Sequence, residues 1–137
     1  MEEKNVRDRE LLLTIDVTCL EPCEVQGQEL KIVMVPFTAR AYGEYFNGET
    51  IGTGVDTQRY EHDGTGRLSA RYMLKGRDKA GGECSIFIEN STHDDEGWHP
   101  LIVTDSPLLS EWEHIPLTAT VDGKEGGVVV RIFRVAG

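Results

Sequence analysis

No segment of this chain sustains a helical period. Its apolar residues alternate with polar ones instead, in runs of strand length. The clearest run is residues 68–90, LSARYMLKGRDKAGGECSIFIEN. Leu68, Ala70, Tyr72 and Leu74 fall on one side, and Ser69, Arg71, Met73 and Lys75 on the other, because successive side chains of a strand point to opposite faces. Ala80, Gly81 and Gly82 then turn the chain into ECSIFIEN, residues 83–90. A ribbon that is apolar on one face and polar on the other suits the wall of a barrel or sandwich, and it carries an arginine where a ligand could meet it.

The same grammar runs along the rest of the chain. Residues 1–9 are a loose, charged lead. Residues 10–18 alternate, with Leu11, Leu13, Ile15 and Val17 on one face. Residues 29–36 form an apolar strand ended by Pro36, which has no N–H for a ladder. Residues 37–47 continue as a strand that Gly43 bends, and Asn47-Gly48 signals a tight turn. A short strand is expected over 57–62, turns at Asp63-Gly64 and over Asp122-Gly123 and Gly126, and a short turn of helix around 107–112. Residues 99–105, 114–121 and 127–135 complete the strands. Short strands separated by turn signals, with no repeat, predict an all-β fold: a single antiparallel β-barrel or sandwich domain over residues 1–137. The last strand, GVVVRIFRV, is apolar on both faces, which predicts a homo-oligomer with that strand at the seam.

Composition narrows the function. The 137 residues carry 14 basic and 24 acidic side chains, a net charge of −10. Such a surface repels phosphate backbones and anionic lipid heads, so neither nucleic acid nor membrane is an expected partner. No apolar run reaches the roughly 18 residues of a membrane span. The charged N-terminus MEEKNVRDRE has no apolar core, and a cytoplasmic location is the default expectation. The three cysteines, Cys19, Cys23 and Cys84, are an odd set with no second close pair, and are read as reduced thiols.

No nucleophile elbow, phosphate loop or dinucleotide fingerprint is present, and no cofactor is expected. The cluster His93, Asp94, Asp95, Glu96 and His99 has metal-ligating residue types, but its spacing is not diagnostic, and Gly97 and Pro100 with the charge run favour a solvated acidic loop. Asp56 and Gln58 are the sharper candidates: they alternate, so on an extended chain they share a face. With Arg71 they would assemble an acid, an amide and a cation at a barrel mouth. Arg71 presents a planar fork suited to a carboxylate or enolate, and Asp56 could act as a general base. The competing reading is a structural ion pair between Asp56 and Arg71. Glu44, Tyr72 and Trp112 are further candidate ligand contacts.

The ordered series VPFTARAYGEYFNGE, GTGVDTQ, LSARYMLKGRDKAGGECSIFIEN and VVVRIFRV resembles the bacterial and fungal domain-of-unknown-function family 3237, from about Leu11 to Val135. The most specific pieces are Gly54-x-Asp56-x-Gln58 and Ala70-Arg71-Tyr72. Thr57 stands where relatives commonly have tryptophan. The resemblance implies a single β-barrel of calycin-like or allene-oxide-cyclase-like shape, with no carried-over activity. Three functions are therefore expected alternatives: a small-molecule-binding barrel for an organic anion or carbonyl compound, a cofactor-independent isomerase, cyclase or decarboxylase with Asp56 as base and Arg71 as oxyanion partner, or a non-catalytic interaction module.

Overall fold

A computed structural model describes residues 8–93 and 97–135. Ten strands follow in order: β1 (Arg9–Cys19), β2 (Cys23–Gln26), β3 (Lys31–Tyr42), β4 (Phe46–Thr50), β5 (Gly54–Tyr60), β6 (Gly66–Asp78), β7 (Glu83–His93), β8 (Trp98–Thr104), β9 (Leu117–Lys124) and β10 (Gly127–Val135). A single 3₁₀ turn, Ser110–Glu113, stands between β8 and β9. All pairings are antiparallel, and β1 closes the sheet by pairing both β10 and β3, making an eight-stranded barrel. β4 and β5 share the place of one strand between β3 and β6: β5 pairs the first half of β6, and β4 its second half.

The alternation in the sequence becomes the two faces of the wall. Cys84, Ile86, Ile88 and Asn90 of β7 point inward and are buried, while Ser85, Phe87 and Glu89 between them are only half-buried. Pro36 does not end its strand as expected; β3 runs through it. The neighbour of β3 changes there from β2, paired up to Met34, to β1, paired from Phe37, so no continuous ladder is broken on that side. Asn47-Gly48 is not a turn either. The reversal comes at residues 43–45, and Gly48 lies opposite Gly76 in the β4–β6 pair. A Cβ on Gly76 would stand 1.9 Å from the Asn47 carbonyl oxygen, so these glycines serve close backbone approach. The turns at Gly64, Gly81 and Gly126 are as expected, each with positive φ, but Asp122-Gly123 lies in β9, paired with Val129 and Val128, and not in the last turn.

The two ends of the barrel differ. At one end Leu12, Phe46, Leu74, Leu109, Trp112 and Ile132 fill the interior, and the 3₁₀ turn lies across it. These residues are nearly all inaccessible and form the solid core. At the other end the inward side chains are mostly smaller: Val17, Ala70, Val121, Val128 and Val130. Packing like that of a crystal fills the first end and leaves space at the second. The outer face of β10 is covered in part by its own chain: the Arg9 guanidinium stands 4.2 Å from the centre of the Phe133 ring. No helix among the described residues is long and apolar enough to cross a membrane. Cys19, Cys23 and Cys84 are free thiols, as expected.

Candidate functional site

β5 brings Asp56 and Gln58 to the interior together, because the strand alternates and Val55, Thr57 and Arg59 take its outer face. In register, Asp56 lies opposite Ala70 of β6, and Ala70 lies opposite Asn90 of β7. Tyr72 is two residues further along the inner face of β6. Asp56, Tyr72 and Asn90 therefore surround Ala70, whose methyl group leaves the space between them open. That space is a cavity of about 270 Å³ at the loosely filled end of the barrel. Phe37, Trp98, Leu68 and the valines supply the rest of its wall, so the lining is predominantly apolar.

The polar groups are held in fixed orientations. The Tyr60 hydroxyl donates to Gln58 Oε1 at 2.9 Å, which leaves Gln58 Nε2 to donate to Asp56 Oδ2, also at 2.9 Å. This relay fixes one carboxylate oxygen of Asp56. The other, Oδ1, is buried with no hydrogen-bond partner among the described residues, and the same is true of the Tyr72 hydroxyl and Asn90 Oδ1. Asn90 is 3% exposed and Tyr72 5%. Burial pushes the Tyr72 phenol well above its ordinary range, so it keeps its proton. The Tyr72 ring is set by Phe37, edge-on at 5.2 Å between centroids, and by Gly54. A Cβ on Gly54 would stand 2.5 Å from Tyr72 Cβ and 2.6 Å from the Phe37 ring. Gly54 is thus the glycine that lets both rings reach the cavity wall.

The structure separates the residues expected to act together. Asp56, Gln58 and Tyr72 line the cavity; Arg71, Glu44 and Trp112 do not. Arg71 follows Ala70 on the strand and so points out of the barrel, where its side chain is 64% exposed and donates to Glu89 at 2.7 Å. It lines a shallow outer groove with Arg59 and Arg67. Both the Asp56–Arg71 acid–cation site and the Asp56–Arg71 structural ion pair are therefore corrected: the two side chains lie on opposite faces of the wall. The physical reason is the cost of burying a guanidinium in an apolar interior. Glu44 is on the surface beyond the solid end, 3.0 Å from Lys79 Nζ. Trp112 is buried in that end, edge-on to Tyr45 with centroids 6.0 Å apart. The Tyr45 hydroxyl donates to Glu10, and that bond raises its pKa.

Asn90, Trp98 and Phe37 were not expected at the site. For Asn90 a signal was present: it ends the inward stripe Cys84, Ile86, Ile88 with a polar residue. Of the acidic cluster, residues 94–96 lie outside the described residues, and His99 is exposed on β8. Among the described residues no group of histidine, cysteine and carboxylate side chains could hold a metal ion.

Comparison with known proteins bears on fold and family. No curated protein matches the chain. Among solved structures, a Clostridium acetobutylicum protein of unknown function superposes with a TM-score of 0.77 at 21% identity, covering 93% of this chain and 96% of that one. An enzyme from Penicillium herquei gives 0.73 at 17% identity, covering 93% and 92%. A β-barrel-like protein from Acinetobacter baumannii gives 0.68 at 14%, covering 93% and 96%. At these identities the likeness is one of fold. The family described as "Protein of unknown function (DUF3237)" matches residues 9–92, and with this barrel, whose β5 and β6 carry the Gly-x-Asp-x-Gln and Ala-Arg-Tyr elements, the chain belongs to it.

Proposed function

We propose that this barrel binds a small organic molecule in its interior cavity, between Asp56, Tyr72 and Asn90. The observation that carries the reading is the convergence of three buried, unpartnered polar atoms on one apolar cavity. A buried polar atom without a partner costs about 1–3 kcal/mol, so three at one place mark a site completed by something else. The opposite end of the barrel is filled by buried side chains, which gives the cavity the character of a preformed pocket with a few placed polar groups.

The test is a thermal-shift screen of one- and two-ring aromatic compounds, followed by titration of Trp98 fluorescence in a Trp112→Phe background. A ligand at a hundredfold its Kd should stabilise the chain by about 2.7 kcal/mol. Ala70→Phe fills the space between the three polar groups and should abolish the shift, whereas Arg71→Ala on the outer face should leave it intact. If no compound stabilises the wild type more than Ala70→Phe, the reading is wrong.

A second reading is favoured by the state of Asp56. One of its oxygens is held by Gln58 and the other is unpartnered in a largely apolar cavity, the arrangement of a carboxylate base, with the protonated Tyr72 hydroxyl as a donor nearby. The Penicillium herquei neighbour is described as an enzyme. On this reading a bound ligand with an acidic C–H would exchange it for deuterium in D₂O. Asp56→Asn should stop the exchange and retain binding; exchange at the wild-type rate in that variant excludes Asp56 as the base.

A further inference from the structure

The three unpartnered atoms say more than that the cavity is a site. Asp56 Oδ1 and Asn90 Oδ1 are both acceptors, and the Tyr72 oxygen accepts as well as donates. Among the described residues no lysine, arginine or histidine lines the cavity. The arginine on which an anionic ligand was expected to rest lies outside the wall, paired with Glu89. An anion entering this space would meet the Asp56 carboxyl group with no counter-charge among the described lining residues, in surroundings where like charges repel strongly. It would also leave both carbonyl-type oxygens unsatisfied.

We infer that the cavity takes a ring-sized apolar molecule carrying at least two N–H or O–H donors and no negative charge. This rests on the proposed binding function and names the chemistry of its ligand. One donor meets Asp56 Oδ1, whose orientation is fixed by the Tyr60–Gln58–Asp56 relay. A second meets Asn90 Oδ1, which lies two strands away across Ala70. The two residues stand on strands two apart, at about 4.8 Å per strand, and the inferred ligand accordingly carries its donors at different positions. The rings of Phe37, Trp98 and Tyr72 and the valines of β9 and β10 cover the apolar body. The donor to Asp56 is either a neutral hydroxyl or a protonated amine; in the second case the ring faces also attract the cation.

A matched series distinguishes these cases: benzene bearing two ethyl, two hydroxymethyl, two aminomethyl or two carboxymethyl groups in the 1,3 arrangement. Binding to the wild type is measured by calorimetry and compared with Ala70→Phe, Asp56→Asn and Asn90→Leu. The hydroxymethyl or aminomethyl compound should bind at least tenfold more tightly than the diethyl compound, with the dicarboxylate weakest. Asn90→Leu should erase most of that advantage. Preference for the diamine over the diol, lost in Asp56→Asn, identifies a cationic donor; equal binding identifies a neutral one. If the diethyl compound or the dicarboxylate binds as well as the diol, and Ala70→Phe still blocks it, the donor requirement is overturned while the binding cavity stands. If no member binds the wild type better than Ala70→Phe, the cavity reading falls and this inference with it.

Discussion

Phe46→Ala is expected to lower the free energy of unfolding by about 3–5 kcal/mol, a large share of the roughly 5–15 kcal/mol that holds a domain together. Phe46 is fully buried at the solid end. Its ring tip occupies the space that a side chain on Gly48 would need, with Cζ 2.7 Å from where the Cβ would stand. Around it lie Leu12, Leu74 and Trp112, all part of the one core cluster. Truncation removes the ring's burial and leaves a hole that rigid strand pairing on both sides of β4 prevents from collapsing. Equilibrium urea unfolding should show a lower midpoint with an unchanged slope, because the variant folds to the same surface. A loss below about 1 kcal/mol would show that this end of the barrel is not packed as described.

Asn90→Leu is expected to do the opposite for stability and the same kind of harm to function. The substitution removes a buried carbonyl oxygen that has no partner and puts an apolar side chain against an apolar wall beside open space. Stability should be unchanged or rise by up to about 1–3 kcal/mol, the cost of the unsatisfied acceptor. Ligand binding should fall ten- to hundredfold, equivalent to about 1.4–2.7 kcal/mol. The combination is diagnostic. An asparagine kept for structure loses stability when replaced; an asparagine kept for a ligand loses affinity while the empty protein gains or holds its stability. Chemical denaturation of the empty variant, set beside its calorimetric titration, reads both. A destabilised variant with wild-type affinity would remove Asn90 from the site.

Much of the fold was legible before any coordinates. Alternation along residues 68–90 separated Tyr72 from Arg71, and the two-residue spacing of Asp56 and Gln58 put them on one face of an extended chain, although the strand expected at 57–62 runs from Gly54 to Tyr60. Both relations hold in the barrel because side-chain direction in a strand is a local property. The turns at Gly64, Gly81 and Gly126 were legible for the same reason: positive φ is a demand that glycine meets locally. Other local signals misled where a distant strand decided the outcome. Asn47-Gly48 has turn chemistry, yet it lies in β4 because Gly76 approaches it there. Pro36 reads as a strand end, yet β3 continues because its partner changes from β2 to β1 at that point.

The candidate site divides along the same line. Asp56, Gln58 and Tyr72, read from their own strands, line one cavity. Arg71 was joined to Asp56 on the assumption that neighbouring motifs share a space; closing the barrel turned the apolar face of β6 inward and left the guanidinium in water. Glu44 and Trp112 went to the opposite end. Asn90 was missed because its importance lies in register, two strands from Asp56 across Ala70.

By itself the sequence determined an all-β chain, several of its turns, and which residues share a face over most strands, since these follow from backbone geometry over a few residues; in β1 a register shift between Leu11 and Leu13 buries Leu12 and leaves Leu11 exposed, against the expected alternation. Only the tertiary structure decided which face is the inside, which end is filled and which is open, and that Asp56, Tyr72 and Asn90 meet while Arg71 stands apart. Those are consequences of pairing and closure between strands far apart in the chain, where the cost of burying charge and the volume of the inward side chains are settled for the barrel as a whole.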